Sequence, residues 1–491
     1  MGSLVLHRML SGQLSARNIL VRPPEPDPSL LVSNPTSSIY IGKTLLCKIP
    51  FFWDSKKLIN PHLCVVGITG SGKSYFIKSF ITRARLVLGA SALILDWAGE
   101  YSDWVVAAGG KTIDFGRQGI NLMSLGGQKP HARVQQVVSA LCMLTDLGAY
   151  PDQIRITEDA LLECYNKRKS PTLKDLLKIL QSKGKKEIYR LCARRIRNLL
   201  LSSGESFCSS KIEIDSILSG LVCIDLHSLP TEQLRSLAGL SILQFVKEKM
   251  RHSSYMSSPD PKLFVVIDEA WKIAADERSD VISIVREGRK YGFSIIVASQ
   301  NPTDIHKSIF SNSGTTFCFR LTLKSEREYL RSSLSFSNFY EELSHSFGVG
   351  QALVHLETAR PVSCSRDFAI GKIDGEPIAD FCKIIGGSMD ISLERGELLR
   401  HLLSFGLSER QASFVLASFE RANMSMEAIQ FVRLLEGFGF ARPTIISLLR
   451  ELGADEKELL ELFSNISLSE MAGKVEFELK EENKVRKYGK K

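Results

Sequence analysis

The sequence predicts an α/β protein with a mostly parallel sheet, followed by a small all-α C-terminal module, and three observations support that expectation. Six short apolar runs, at 62–68, 91–97, 220–226, 262–270, 293–300 and 315–321, alternate with helix-length segments. Strands that read as nearly continuous apolar runs are those buried on both faces, and spacing by helices is the mark of parallel crossovers. A glycine-rich loop directly follows the first run. Beyond residue 390 the apolar positions recur every 3.6 residues, and no strand is expected there.

The division along the chain follows from composition. Prolines at 23, 24, 26, 28 and 35 stiffen the stretch Arg22–Ser38, so residues 1–38 read as an N-terminal segment with a Pro-rich linker. The alternating pattern then defines an α/β domain over 39–374. A break at Gly386-Gly387-Ser388 leads to a helical module over 390–470. There Leu402 and Gly406, Leu435 and Gly439, and Leu449 and Gly453 repeat the spacing of a helix closing on a C′ glycine. The last stretch, 471–491, ends in five positive side chains among residues 484–491 and reads as a flexible basic tail.

Composition narrows the class without naming an activity. The chain has 491 residues, 44% hydrophobic and 24% charged, which excludes wholesale disorder. No apolar run approaches the ~18–20 residues of a membrane helix, and the N-terminus lacks the features of a signal peptide. Ten cysteines without a CxxC pair fit reduced thiols better than a disulfide frame or a zinc site. A cytoplasmic protein without an intrinsic membrane segment is therefore expected.

The loop Gly67-Ile-Thr69-Gly70-Ser71-Gly72-Lys73-Ser74 fits GxxxxGK followed by Ser or Thr, between the apolar strand Leu63–Val66 and a helix. Its glycines let backbone N–H groups face phosphates, and the helix N-terminus favours negative charge. Lys73 would reach the β- and γ-phosphates of ATP, and Ser74 would bind Mg²⁺. The strand Leu263–Ile267 ends in Asp268 and Glu269. Asp268 suits the Mg²⁺ shell, and Glu269 suits a general base for the attacking water. Phe293–Ala298 ends in Ser299-Gln300, an amide placed to sense the γ-phosphate or position water. Upstream, Arg286, Arg289 and Lys290 supply cations. They fit either an arginine that stabilises phosphoryl-transfer charge or a basic helix end meeting its own dipole.

In this order the motifs resemble the HerA/FtsK class of P-loop ATPases, closest to HerA-like helicase/translocases and type IV secretion (conjugation) ATPases. Besides the loop, Asp96-Trp-Ala-Gly99-Glu100-Tyr101 is similar to the D-x-x-GEY segment, Gly119-Ile-Asn121-Leu122 to "INPL", and Cys223-Ile-Asp225-Leu226 to the "DL" strand. Ile267-Asp268-Glu269-Ala270-Trp271 is similar to the Walker B strand, 286–292 to the arginine motif, Ser299-Gln300 to the strand-end glutamine, and 350–354 to the closing hairpin.

The resemblance implies a RecA-like domain in a homo-hexameric ring, with ATP between subunits and DNA through the pore. It implies an ATP-hydrolysing motor that translocates or unwinds DNA, with a conjugation-type ATPase energising transfer through a membrane channel as the alternative. Asp96 and Glu100 would lie near the nucleotide, and Arg289 or Arg286 would act in trans, with Arg320 a further arginine candidate. A nuclease or a membrane-channel subunit would be the partner, the latter placing the protein peripherally at a membrane. HerA-like enzymes carry an N-terminal β-barrel and conjugation ATPases a longer N-terminal domain. Here fewer than seventy residues precede the loop, so the resemblance does not extend to what that domain does in membrane docking or ring assembly.

The formal net charge of +9 is too modest to argue for nucleic acid by itself. Its distribution is more informative: Arg190, Arg194 and Arg197 fall on one helix face. That face fits phosphate contact, a solvated surface or an inter-subunit surface. In the helical module, Phe440–Arg450 resembles the second helix of a helix-turn-helix, against the plainer reading of a packing module.

Overall fold

The computed structural model describes residues 26–463 apart from 46, 209–211, 253–259, 270–279, 288–289, 291, 337, 360–365, 374–389, 393–394, 422–424, 453, 455–457 and 460–461. Arg289, Ala270, Trp271, the Gly386-Gly387-Ser388 break, the start of the Pro-rich stretch and the basic tail lie outside the described residues.

Eleven strands form one sheet: β1 (Ile39–Thr44), β2 (Pro50–Trp53), β3 (Leu63–Val66), β4 (Ser91–Asp96), β5 (Lys111–Asp114), β6 (Leu221–Asp225), β7 (Leu263–Ile267), β8 (Phe293–Ser299), β9 (Thr315–Cys318), β10 (Ala352–Leu356) and β11 (Asp367–Ile373). Their order is β2-β1-β11-β10-β9-β3-β8-β7-β4-β6-β5. From β9 to β5 every pairing is parallel, whereas β10, β11, β1 and β2 continue the sheet antiparallel. All six apolar runs of the sequence are strands of the parallel part.

The period of two explains why these strands read as unbroken apolar runs. Cys64 and Val66, Leu93 and Leu95, and Val265 and Ile267 pack into one core layer. Leu63 and Val65, Ala92 and Ile94, and Phe264 and Val266 pack into the layer on the opposite face. The second layer includes α1 (Lys73–Leu88), which buries Phe76, Ile77, Phe80 and Ile81 and ends on Gly89 at φ 63°.

The first layer is completed by helices between β5 and β6, namely α2 (Pro130–Leu144), α3 (Pro151–Lys167), α4 (Leu173–Ser182) and α5 (Glu187–Ser203), then α6 (Glu232–His252) and α7 (Asp280–Glu287). Each turns an apolar stripe inward, as Cys192, Ile196 and Leu199 do on α5.

The C-terminal helices α8 (Arg395–Ser404), α9 (Glu409–Arg421), α10 (Ala428–Gly437) and α11 (Arg442–Glu451) enclose a core of their own around Leu402, Val415, Phe431 and Leu448. Two short strands also occur there, β12 (Asp390–Ser392) and β13 (Ser425–Glu427), paired antiparallel. The expectation of a strand-free module is corrected on this point. Three residues are too few for an alternation to stand out from a helical period.

This module rests on the far end of α1 and the outer strands. Leu86 packs against its core, Gln411 donates to the Pro35 carbonyl at 3.2 Å, and a Cβ on Gly439 would lie 2.5 Å from the Phe52 ring.

A second difference concerns the Pro-rich stretch, whose described part is not a free linker. Pro28–Leu31 is a helical turn that buries Leu30 and Leu31. Lys57 Nζ donates to the Ser29 and Val32 carbonyls at 2.7 and 2.8 Å. The Leu-Leu-Val triplet gives the segment apolar area to bury, which proline density alone conceals. No helix among the described residues is long and apolar enough to cross a membrane.

Candidate functional site

The loop 67–72 leaves β3 at the carboxyl edge of the parallel sheet, and three neighbours hold it. Gly67 N–H donates to Ser299 O at 3.3 Å, Ile68 N–H to Arg320 O at 3.0 Å, and Gly350 N–H to Ser71 O at 2.9 Å. The loop is thus framed by the ends of β8 and β9 and by the turn before β10.

Two glycines are required by this close approach. Gly67 has φ +152° and a Cβ there would meet Phe319 Cβ at 2.6 Å; Gly72 has φ +110° and a Cβ would lie 3.3 Å from Gly350 N. Thr69 and Gly70 form the exposed crest, while Ser71 is buried and donates to Ile68 O at 2.6 Å.

Lys73, the first residue of α1, turns its ammonium back onto the loop, donating to Gly67 O at 2.6 Å and Ile68 O at 3.2 Å. Burial pulls its pKa down, opposed by the charges of Asp268, Glu269 and Glu100. Ser74 Oγ donates to Glu100 Oε2 at 2.7 Å. A buried cation beside a glycine-rich loop, at the positive end of a helix of 16 residues, is a cradle for phosphate.

Asp96 and Asp268 stand side by side, each following the registered pair Leu95 and Ile267, because β4 and β7 are parallel neighbours. Their side chains do different work. Asp96 is fully buried, and its carboxylate accepts from the backbone N–H groups of Gly99 (2.8 Å), Glu100 (3.2 Å) and Tyr101 (2.9 Å). It holds the turn that presents Glu100 and Tyr101, so of the two residues the resemblance put near the nucleotide, it is Glu100 that touches Ser74.

Asp268 Oδ2 accepts from Tyr101 OH at 2.8 Å, and Oδ1 accepts from Glu269 N–H at 3.0 Å. Burial pushes the Asp268 pKa up to about 6. Those hydrogen bonds and Lys73 pull it down, while the neighbouring Glu269 adds to the rise.

Glu269 has φ +55°, a left-handed conformation uncommon for a residue with a Cβ and frequent at functional turns. Its Oε1 accepts from Gln300 Nε2 at 2.6 Å, and Gln300 Oε1 accepts from Thr69 Oγ1 at 2.7 Å. Thr69, Gln300 and Glu269 therefore form one hydrogen-bonded chain across the mouth of the loop. The fold brings together Gly67–Ser74, Glu100, Asp268, Glu269 and Gln300.

Arg286, on α7, is exposed, with a 3.5 Å contact from Nη2 to Ser308 Oγ. Arg320 is exposed just past the end of β9. Sequence reasoning gave Tyr101 no task. Its signal is the unbroken order Gly99-Glu100-Tyr101 after a strand-end aspartate.

Comparison with known proteins agrees with this geometry. Residues 39–246 match the family model "Helicase HerA, central domain". The chain is 25% identical over 282 residues to the DNA import protein CedB of Sulfolobus acidocaldarius, covering 55% of this chain and 45% of that protein. It is 24% identical over 339 residues to the DNA double-strand break repair helicase HerA of Sulfurisphaera tokodaii, covering 65% and 67%. The chain thus spans less than half the length of the first relative and about two thirds of the second. Among solved structures, VirB4 of Thermoanaerobacter pseudethanolicus superposes with a TM-score of 0.60 at 19% identity, over 71% of this chain and 99% of that one, a likeness of fold. Residues 39–246 are similar to the central domain of HerA-type helicases, and the chain resembles P-loop ATPases of the HerA/FtsK class.

Proposed function

We propose that this protein is an ATP-hydrolysing motor that translocates or unwinds DNA, with residues 39–374 as the ATPase domain and the helices of 390–470 as a separate module. The observation that supports it best is the hydrogen-bonded chain from Thr69 through Gln300 to Glu269. A protein that only holds nucleotide has no need of a carboxylate linked to the phosphate loop through a strand-end amide. The relatives' names, a DNA import protein and a DNA repair helicase, support DNA as what is moved.

The residues fit ATP and Mg²⁺. Lys73 would exchange the carbonyls of Gly67 and Ile68 for phosphate oxygens, and the N–H groups of 70 and 72–74 would complete the cradle. Ser74 and Asp268 are hard oxygen donors of the kind Mg²⁺ prefers when phosphates supply further ligands. When bound, the ion neutralises charge developing on the phosphates. Glu269 orients and deprotonates the attacking water, and Gln300 reports whether the crest of the loop is occupied. Arg286 or Arg289 of a neighbouring subunit in a homo-hexameric ring would complete the site.

The decisive experiment is ATP hydrolysis by the purified chain with and without DNA, beside Lys73→Ala. Stimulation by DNA and loss of turnover in Lys73→Ala are expected. Turnover indifferent to both DNA and Lys73 would sink the reading.

A further inference from the structure

The four-helix insertion α2–α5 holds a charge imbalance that the nucleotide site does not use. Residues 130–203 contain fourteen Lys and Arg against seven Asp and Glu, most of the positive surplus of the whole chain. Several of the acids are already engaged. Glu163 pairs with both Lys167 and Lys183, and Asp175 pairs with Arg168 at 3.0 Å.

The surplus collects on α5. Its inner face buries Cys192, Ala193, Ile196 and Leu199. Its outer face presents Arg190, Arg194 and Arg197 to solvent, just after the exposed Lys185 and Lys186. Like charges at this helical spacing repel one another and favour an anionic partner. None of these five has an ion pair with a described residue. Arg195, one position away, behaves differently. It donates to Gln153 Oε1 at 3.1 Å and lies 5.1 Å from the Tyr150 ring centre.

The foot of α5 stands near the nucleotide loop's edge of the sheet. Just past its end, Ser206 O and Phe207 O accept from Ile120 N–H at 2.7 Å and Leu122 N–H at 3.1 Å, in the segment leaving the carboxyl end of β5. That end is in register with β6, and β6 with β4, whose last residue is Asp96.

Resting on the DNA-motor reading above, we propose that the outer face of α5 is a DNA-docking surface that grips the phosphate backbone through Arg190, Arg194 and Arg197 without reading sequence. An uninterrupted row of guanidinium groups matches a continuous polyanion. Leu191 and Leu201 border the row and are 41% and 74% exposed, so an acidic protein surface is the outcome the test must separate.

The test compares the full-length wild type with the triple variant Arg190→Ala, Arg194→Ala, Arg197→Ala. Binding of a labelled DNA duplex of arbitrary sequence is measured by anisotropy across a salt series, together with DNA-free ATP hydrolysis and assembly mass. The triple variant is expected to bind DNA roughly tenfold more weakly, with a salt slope shallower by about 0.9 per lost contact. DNA-free hydrolysis and mass should stay unchanged, and the triple Arg→Lys variant should retain most of the affinity. A wild-type affinity and slope in the alanine variant would overturn the proposal, as would an altered assembly mass with DNA binding intact. A wild type that binds no DNA at all would sink the motor reading with it, whereas an unaffected variant beside a DNA-binding wild type sinks this inference alone.

Discussion

Tyr101 donates its phenol to Asp268 at 2.8 Å, and the residue before it, Glu100, accepts the hydroxyl of Ser74 at 2.7 Å. Two consecutive side chains of one turn therefore hold both groups proposed as Mg²⁺ ligands. Removing the phenol frees Asp268 Oδ2 in a buried position, where a hydrogen bond to a charged group contributes about 1.5–3 kcal/mol. Tyr101→Phe should raise the Mg²⁺ concentration for half-maximal ATP hydrolysis by about tenfold. Titration of Mg²⁺ at saturating ATP checks this, and an unchanged midpoint would leave Tyr101 a packing residue.

The turn itself depends on Asp96. Asp96→Ala would strip the acceptor from three backbone N–H groups. A loss of about 1–3 kcal/mol in unfolding free energy is expected, the cost of one unsatisfied buried group, since of the three only the Tyr101 N–H is buried. Asp96→Asn keeps an acceptor oxygen and should lose less. Denaturant unfolding of the two variants gives the comparison.

Glu269 and Gln300 act as a pair. Glu269→Gln keeps a hydrogen-bonding side chain but removes the proposed base, so hydrolysis should fall about 10²–10⁴-fold while ATP binding persists. Gln300→Ala should lower turnover less and leave nucleotide affinity nearly intact. Single-turnover rates beside a fluorescent-nucleotide titration separate the two effects.

Gly67→Ala places a Cβ 2.6 Å from Phe319 Cβ on a backbone at φ +152°. Strain of about 1–3 kcal/mol is expected, together with loss of ATP binding as the loop shifts. Gly70→Ala, at φ +76° with no heavy atom within 4 Å of the added Cβ, strains the backbone without a clash and should bind ATP better than Gly67→Ala. Parallel nucleotide titrations measure the contrast.

His355, on β10, sits between Asp367 at 2.6 Å and Glu357 at 3.2 Å. Burial alone would lower its pKa, but the two carboxylates outweigh it and raise the value from 6.5 to about 9. A raised folded-state pKa means the imidazolium stabilises the fold fully below pH 6.5, and this contribution is lost as pH rises through about 9. Melting temperature should decline over that window in the wild type, and the decline should be much smaller in His355→Gln.

The parallel sheet and the phosphate loop were legible in the sequence because both are local. Leu63–Val66 and the glycines after it need only their own neighbours to show strand, turn and helix. The outer strands were harder: β2 starts on Pro50, a residue that argues against a strand except at its first position or on an edge, and β12 and β13 are three residues each. Asp268 and Glu269 could be read from the end of β7, but not what they bond to. Tyr101 and Asp268 are 167 residues apart, and only the parallel order of β4 and β7 brings them together. For Asp96 the sequence showed a place beside the site, but not the three N–H groups its carboxylate holds.

Helix α1 has Lys73 at one end and, past the other, Gly89, beside which lies the guanidinium of Arg410. Sixteen residues at about 1.5 Å each make a stiff rod of roughly 24 Å. At its far end Leu86 packs into the core of the C-terminal helices, and those helices also meet the outer strands, where Gly439 lies against Phe52. One stiff helix therefore spans from the phosphate loop to the seat of the C-terminal helices.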